Sequence, residues 1–215
     1  MDTRVRAIIP VVSESTTPHR NTRPFGLAIF LIIAGIIGLL AAFELTLDKF
    51  AILANPQTQL NCNINVLVGC SKNLNSWEGN LFGFPNAPLG LIGWSAVIVV
   101  AAGILAGARY ARWYWLIFNL GVVLALALVI FLITASVTDL RVLCPWCMVT
   151  WSVTIPTFWA VTIYNLKEGN IPLPAGARKF FRTLYSWVPL ITLVSYLIVA
   201  LIAQLQLDWI HRAFI

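Results

Sequence analysis

Charge is what this chain is short of. Only 10% of its 215 residues are Asp, Glu, Lys or Arg, and just 8 are acidic. A soluble domain carries roughly 25%, so an ordinary soluble globular domain is excluded. Disorder is excluded too, because it needs high charge and few apolar residues. Here 60% of residues are hydrophobic and the mean hydropathy is +0.86. There is no internal repeat, no low-complexity tract and no heptad pattern. Histidine is scarce: His19 and His211 are the only 2, and both read as solvated or headgroup-facing rather than as ligands. The net charge of +6 does not make a nucleic-acid surface, which needs one basic patch. The cations fall into separate segments.

Long apolar runs are what the chain has. A helix needs about 20 apolar residues to cross a bilayer core. Five runs qualify: Phe25–Phe43, Leu89–Ala108, Trp113–Thr138, Val142–Leu166 and Thr183–Leu207. None holds a charge, which argues against an ion or proton pathway. Pro145, Pro156 and Pro189 lie within the last two runs, and membrane helices tolerate proline where neighbours re-satisfy the freed carbonyls. The expected architecture is an all-α integral membrane protein of five transmembrane helices. It divides into a tail over 1–24, a bundle over 25–166 with an outer loop over 44–88, a connection over 167–182, and a fifth helix with a short tail over 183–215.

The basic residues orient it. Arg4, Arg6, Arg20, Arg23, Arg109, Arg112, Lys167, Arg178, Lys179 and Arg182 fall on one side, which takes a net +7. The other side has Lys49, Lys72, Arg141 and Arg212 against five acids and takes −1. The positive-inside rule then puts the N-terminus in the cytoplasm and the C-terminus outside, in the plasma membrane of the cell. Trp113, Trp115, Trp187 and Trp209, with Tyr110 and Tyr114, read as an interfacial aromatic belt.

All 4 cysteines fall on the outer side, where disulfides persist. Cys62 and Cys70 lie in the long, Asn-rich loop. Cys144 and Cys147 form Cys-Pro-Trp-Cys where the fourth helix is expected to begin. Pro145 suits a first helical turn. The helix N-terminus, with Arg141 three residues upstream, favours a Cys144 thiolate. One pair in an aqueous loop and one at the membrane edge suggest a thiol–disulfide relay. Two structural disulfides would use the same residues. A four-cysteine zinc site fits poorly, because seven residues separate Cys62 from Cys70 and no histidine is near.

Together, Cys62-x₇-Cys70-Ser71, Trp77, Gly83-Phe84-Pro85-Asn86-Ala87-Pro88-Leu89-Gly90 and Cys144-x₂-Cys147 resemble the vitamin K epoxide reductase family, its bacterial homologues above all. The resemblance covers about Phe25 to Leu166. It implies a four-helix bundle around a quinone pocket, with one extra helix here and the long loop capping the mouth. It implies that Cys62 exchanges with a soluble or anchored thioredoxin-fold partner, that Cys70 passes electrons to Cys144, and that Cys147 reduces a quinone of menaquinone or ubiquinone type. Asn86 would hydrogen-bond the quinone, Leu89 would line its site, and Ser71 and Trp77 would hold the loop. No metal is expected. Trp151 stands where animal members have a tyrosine that contacts the quinone. The chain stops soon after the fifth helix, so a separate partner replaces the fused thioredoxin domain of many bacterial members. The expected activity is quinone-dependent disulfide oxidation in support of disulfide bond formation. The alternatives are quinone or vitamin K epoxide reduction by the same residues, and a non-catalytic scaffold.

Overall fold

The computed structural model describes residues 24–65 and 67–207. The cations of the N-terminal tail, both histidines and Trp209 lie outside them. Among the described residues the regular structure is helical, and five helical segments are long and apolar enough to cross a membrane.

Helix α1 runs over Phe25–Ala54, 30 residues. At about 1.5 Å per residue it is about 45 Å long, against a bilayer core of about 30 Å. About three of its turns therefore project beyond the core, and the charged Glu44, Asp48 and Lys49 sit there. Asn55 ends the helix in extended conformation ahead of Pro56. A short α2 (Ser71–Asn75) lies in the loop that follows. Then come α3 (Ala87–Leu105), α4 (Arg112–Ala135) and α5 (Pro145–Glu168).

These four long helices share one core. Leu31 of α1, Val97 and Ala101 of α3, Val122 of α4 and Val161 of α5 all contribute to it. The most extensive contact is α1 with α3, and α5 touches both α1 and α4. Small residues let α1 and α3 approach closely, as membrane helices require when packing must replace hydrophobic drive. A Cβ on Gly38 would stand 2.2 Å from the Trp94 ring, and one on Gly35 would stand 2.6 Å from Ile98. Further along, buried Asn165 donates to Asn119 at 3.2 Å and accepts from Asn170 at 2.7 Å.

Two sequence expectations shift. Trp115 is not a belt residue: it is buried in the core, with its ring 4.9 Å from that of Tyr164. Trp113 is exposed as expected. The last apolar run also does not begin its spanning helix at Thr183. A separate basic helix, α6 (Ala175–Leu184), and a turn over Tyr185–Trp187 precede α7 (Val188–Leu207).

Helix α7 packs on α5 through a specific polar contact. Pro156 has no N–H to give the carbonyl four residues earlier, which is that of Ser152. The Tyr196 hydroxyl of α7 donates to that carbonyl. Trp159 Nε1 adds a hydrogen bond to Ser195 Oγ at 3.1 Å.

Candidate functional site

The loop between α1 and α3 is anchored at both ends of its cysteine segment. A two-rung backbone bridge joins it to the strand-like residues ahead of α5. Leu143 N donates to Leu67 O at 2.8 Å, and Gly69 N donates to Leu143 O at 3.0 Å. Gly69 precedes Cys70 and Leu143 precedes Cys144, so the bridge sets the two cysteines side by side. Asn63 secures the same spot. Its Oδ1 accepts from the backbone N–H of Cys70 at 2.9 Å and of Ser71 at 3.2 Å. Its Nδ2 donates to Ser71 Oγ at 2.7 Å. Gly69 leaves room for this: a Cβ there would come within 2.9 Å of Asn63 Oδ1. From below, Lys49 Nζ donates to the Leu74 carbonyl at 2.6 Å, and Lys72 Nζ donates to that of Leu140.

The four cysteines come together as a result. Cys62 and Cys70 form a disulfide, while Cys144 and Cys147 are free thiols. Cys144 Sγ stands 3.3 Å from Cys70 Sγ, and both residues are 0% exposed. Leu45, Ile52, Leu60 and Leu74 surround them. Cys144 caps α5 with Pro145 in the first turn, as its position in the sequence predicts. Its thiol is held below the ordinary cysteine value, first by a hydrogen bond from the Cys147 thiol and then by the backbone N–H groups of Cys147 and Trp146, against burial and the charge of Asp48. Arg141, the cation expected to help, sits exposed in a left-handed turn and plays no part in this lowering.

The other expected residues divide. Trp151 is buried with Val129, Ile133 and Val137, and Cys147 packs against that cluster. Asn86 caps α3. Its Nδ2 donates to the Glu78 carbonyl at 2.6 Å, and its Oδ1 accepts from Leu81 N at 3.2 Å. Asn86 thus closes the loop's last turn and keeps one amide hydrogen free. Leu89 is half-buried on the first turns of α3. Ser71 is held by Asn63, whereas Trp77 is 67% exposed and meets Phe131 of α4 edge-on with ring centres 6.0 Å apart. Trp77 is away from the cysteine cluster.

Two residues of the site escape sequence reasoning. Asn63 is one of eight loop asparagines, and nothing in its spacing marks it. Asp48 lies fourteen residues before Cys62 on another element, yet its Oδ2 is 3.2 Å from Cys62 Sγ. The only signal for it is a carboxylate on a helix too long for the bilayer.

Helices sharing one core and long enough to cross a membrane, capped by a loop that brings a disulfide against a free Cys-x-x-Cys pair, define a helical membrane protein with its cysteines gathered at one end of the bundle. The sequence places it further. The model of the Vitamin K epoxide reductase family matches residues 29–162, well over half of the chain, and the protein belongs to that family. Helices α1, α3, α4 and α5 lie within the match almost entirely, and α7 lies outside it. The protein is therefore a multi-pass membrane oxidoreductase. No curated protein matches the chain.

Proposed function

We propose that the protein is a quinone-dependent disulfide oxidoreductase. It withdraws two electrons from the dithiol of a thioredoxin-fold partner outside the cytoplasm and delivers them to a membrane quinone, in support of disulfide bond formation. The observation that carries this reading is the 3.3 Å approach of Cys144 to Cys70 across the loop–bundle seam. A scaffold with two structural disulfides gives no reason for that approach, nor for leaving Cys144 and Cys147 as thiols.

The chemistry follows from thiolate attack through mixed disulfides. The partner's thiolate attacks Cys62, opens the loop disulfide and frees Cys70; the partner's second thiol then displaces Cys62 as a thiol and leaves the partner oxidised. With Cys144 and Cys147 oxidised, the Cys70 thiolate attacks Cys144 and releases Cys147. Cys62 then attacks Cys70 and releases Cys144 as a thiolate. The loop is left oxidised and the membrane-edge pair reduced, which is the arrangement described above. The hydrogen bond from Cys147 that favours the Cys144 thiolate also makes Cys144 the better leaving group.

The donor set suits a quinone. Asn86 has a spare amide hydrogen, Trp151 carries an indole N–H, and Leu89 offers an apolar wall. When bound, a quinone supplies the two-electron acceptor. Cys147, beside Trp151, is the thiol that faces it, and the donors at Asn86 and Trp151 stabilise negative charge as it develops on a carbonyl oxygen. Flow toward the quinone matches the usual order of reduction potentials. The charge asymmetry supports a cysteine end that faces outside.

Cys147→Ala protein should fold but reduce no quinone, and Cys70→Ala should accumulate a mixed disulfide between Cys62 and the partner. Quinone reduction by Cys147→Ala at the normal rate would overturn the scheme. The name of the matched family supports a second reading, reduction of a quinone epoxide by the same thiols. Turnover on quinone against quinone epoxide separates the two.

A further inference from the structure

Among the described residues, Asp48 is the carboxylate set against the sulfurs. Its Oδ2 lies 3.2 Å from Cys62 Sγ, and it lies within 4.8 Å of Cys70 Sγ as well. As half of a disulfide, Cys62 has no proton to offer, so this contact is not a hydrogen bond that holds the loop in its oxidised state. The loop has other anchors: the Leu143 rungs, Asn63 and Lys49. The carboxylate stands where the proton of a Cys62 thiol goes when the disulfide closes.

We propose that Asp48 is the catalytic base of the relay, taking the Cys62 proton as Cys62 attacks Cys70 and returning it in the reverse step, when the Cys144 thiolate displaces Cys62 from Cys70. The proposal rests on the relay reading above. In the forward step a Cys70–Cys144 disulfide and a Cys62 thiol are the reactants. The Cys62 proton passes to the Asp48 carboxylate. The Cys62 sulfur bonds to Cys70, the Cys70–Cys144 bond breaks, and its electron pair leaves on Cys144. No electrons enter or leave the four-cysteine set, and the proton on Asp48 goes on to the outer water that the half-buried side chain reaches. In reverse, Asp48 protonates Cys62 as a thiol displaces it from Cys70.

A base is needed at that place. A free thiol titrates near 8.5, so a loop thiol without assistance is a poor nucleophile at neutral pH. It lies in the loop, away from the helix N-terminus that assists Cys144. The groups around Asp48 are Glu44 one turn earlier on α1, the loop sulfurs of Cys62 and Cys70, and Cys144 at the start of α5. The neighbouring Lys49 ammonium is committed to the Leu74 carbonyl.

The full-length protein tests this without a partner. All four thiols are reduced, the reductant is removed, and the protein is mixed rapidly with a short-chain quinone. Two quinones are reduced per chain: the first by the membrane-edge pair, the second only after the loop pair has passed its electrons on. Asp48→Asn should keep the first phase and slow the second by about 10²-fold near pH 6.5, the typical worth of one acid–base group. The gap should close as pH rises toward about 8.5, where the thiolate forms unaided. Asp48→Glu should recover most of the second phase. A wild-type second phase in Asp48→Asn, an equal slowing at every pH, or an Asp48→Glu protein as slow as Asp48→Asn would overturn the assignment of Asp48. Cys62→Ala is the control for the relay itself and should stop after one quinone. If it reduces two, the relay fails whatever Asp48 does.

Discussion

At Cys144, two thiols three residues apart act as an unequal pair. The Cys147 thiol donates its proton toward Cys144 and, with the first backbone N–H groups of α5, lowers the Cys144 value. Lowering a thiol's value leaves more of it as thiolate at neutral pH. Removing the donor in Cys147→Ala should therefore move the midpoint of the Cys144 thiolate's ultraviolet absorbance to higher pH. Asn63 makes a second prediction at this scale. Asn63→Ala strips two backbone donors and the Ser71 hydroxyl of their partner. At about 1 kcal/mol per hydrogen bond, the variant's loop amides should exchange with solvent markedly faster, even with the disulfide intact. The cysteine order alone pointed to the pair at Cys144 and Cys147. Asn63 and Asp48 were not legible, because their partners lie across a turn or on another helix, and composition cannot express that proximity.

Among the elements, the closest approach is α1 against α3. Gly38 sits under the Trp94 ring with no room for a side chain. Gly38→Val should cost about 1–3 kcal/mol, the usual range for overpacking, and should lower the thermal midpoint in detergent. Helix α7 offers a gentler case. Tyr196→Phe leaves the Ser152 carbonyl without its donor beside Pro156, and the loss should be about 0.6 kcal/mol, typical for one hydrogen bond between membrane helices. The five spans were readable from apolar run length, because a bilayer imposes a minimum length. Their ends were not. Run length alone does not mark where the Cys-x-x-Cys helix begins: it starts at Pro145, where the proline predicts it, three residues inside the apolar run, because Val142 and Leu143 are drawn into backbone contacts with Ser136 and the loop. The last helix starts after a basic helix and a single helical turn, and the uncharged residues 183–187 that end the one and form the other read in sequence as the beginning of the apolar run. Trp115 was misplaced for a related reason. An aromatic near a helix end looks the same in sequence whether it faces lipid or Tyr164.

Across the whole molecule, the charge distribution makes the topological prediction. With the +7 side in the cytoplasm, an added cysteine at exposed Gln57 should react with a membrane-impermeant thiol reagent in intact cells. One at exposed Arg109 should react only after the membrane is opened. The opposite pattern would invert the orientation and put the cysteines in the cytoplasm.

The two backbone rungs between the loop and Leu143 also decide what happens when the loop disulfide opens. A small disulfide-tied segment normally loses its shape once the bond is cut, and the freed sulfurs dilute into a wide volume. Here the rungs and the Asn63 clamp involve no sulfur, so they persist through reduction. Cys70 therefore meets Cys144 at the high effective molarity of a well-oriented intramolecular pair, which reaches about 10⁵ M and above. In the proposed relay, the bond that carries the electrons is separate from the bonds that hold the geometry, and it can break in every cycle while the loop stays docked.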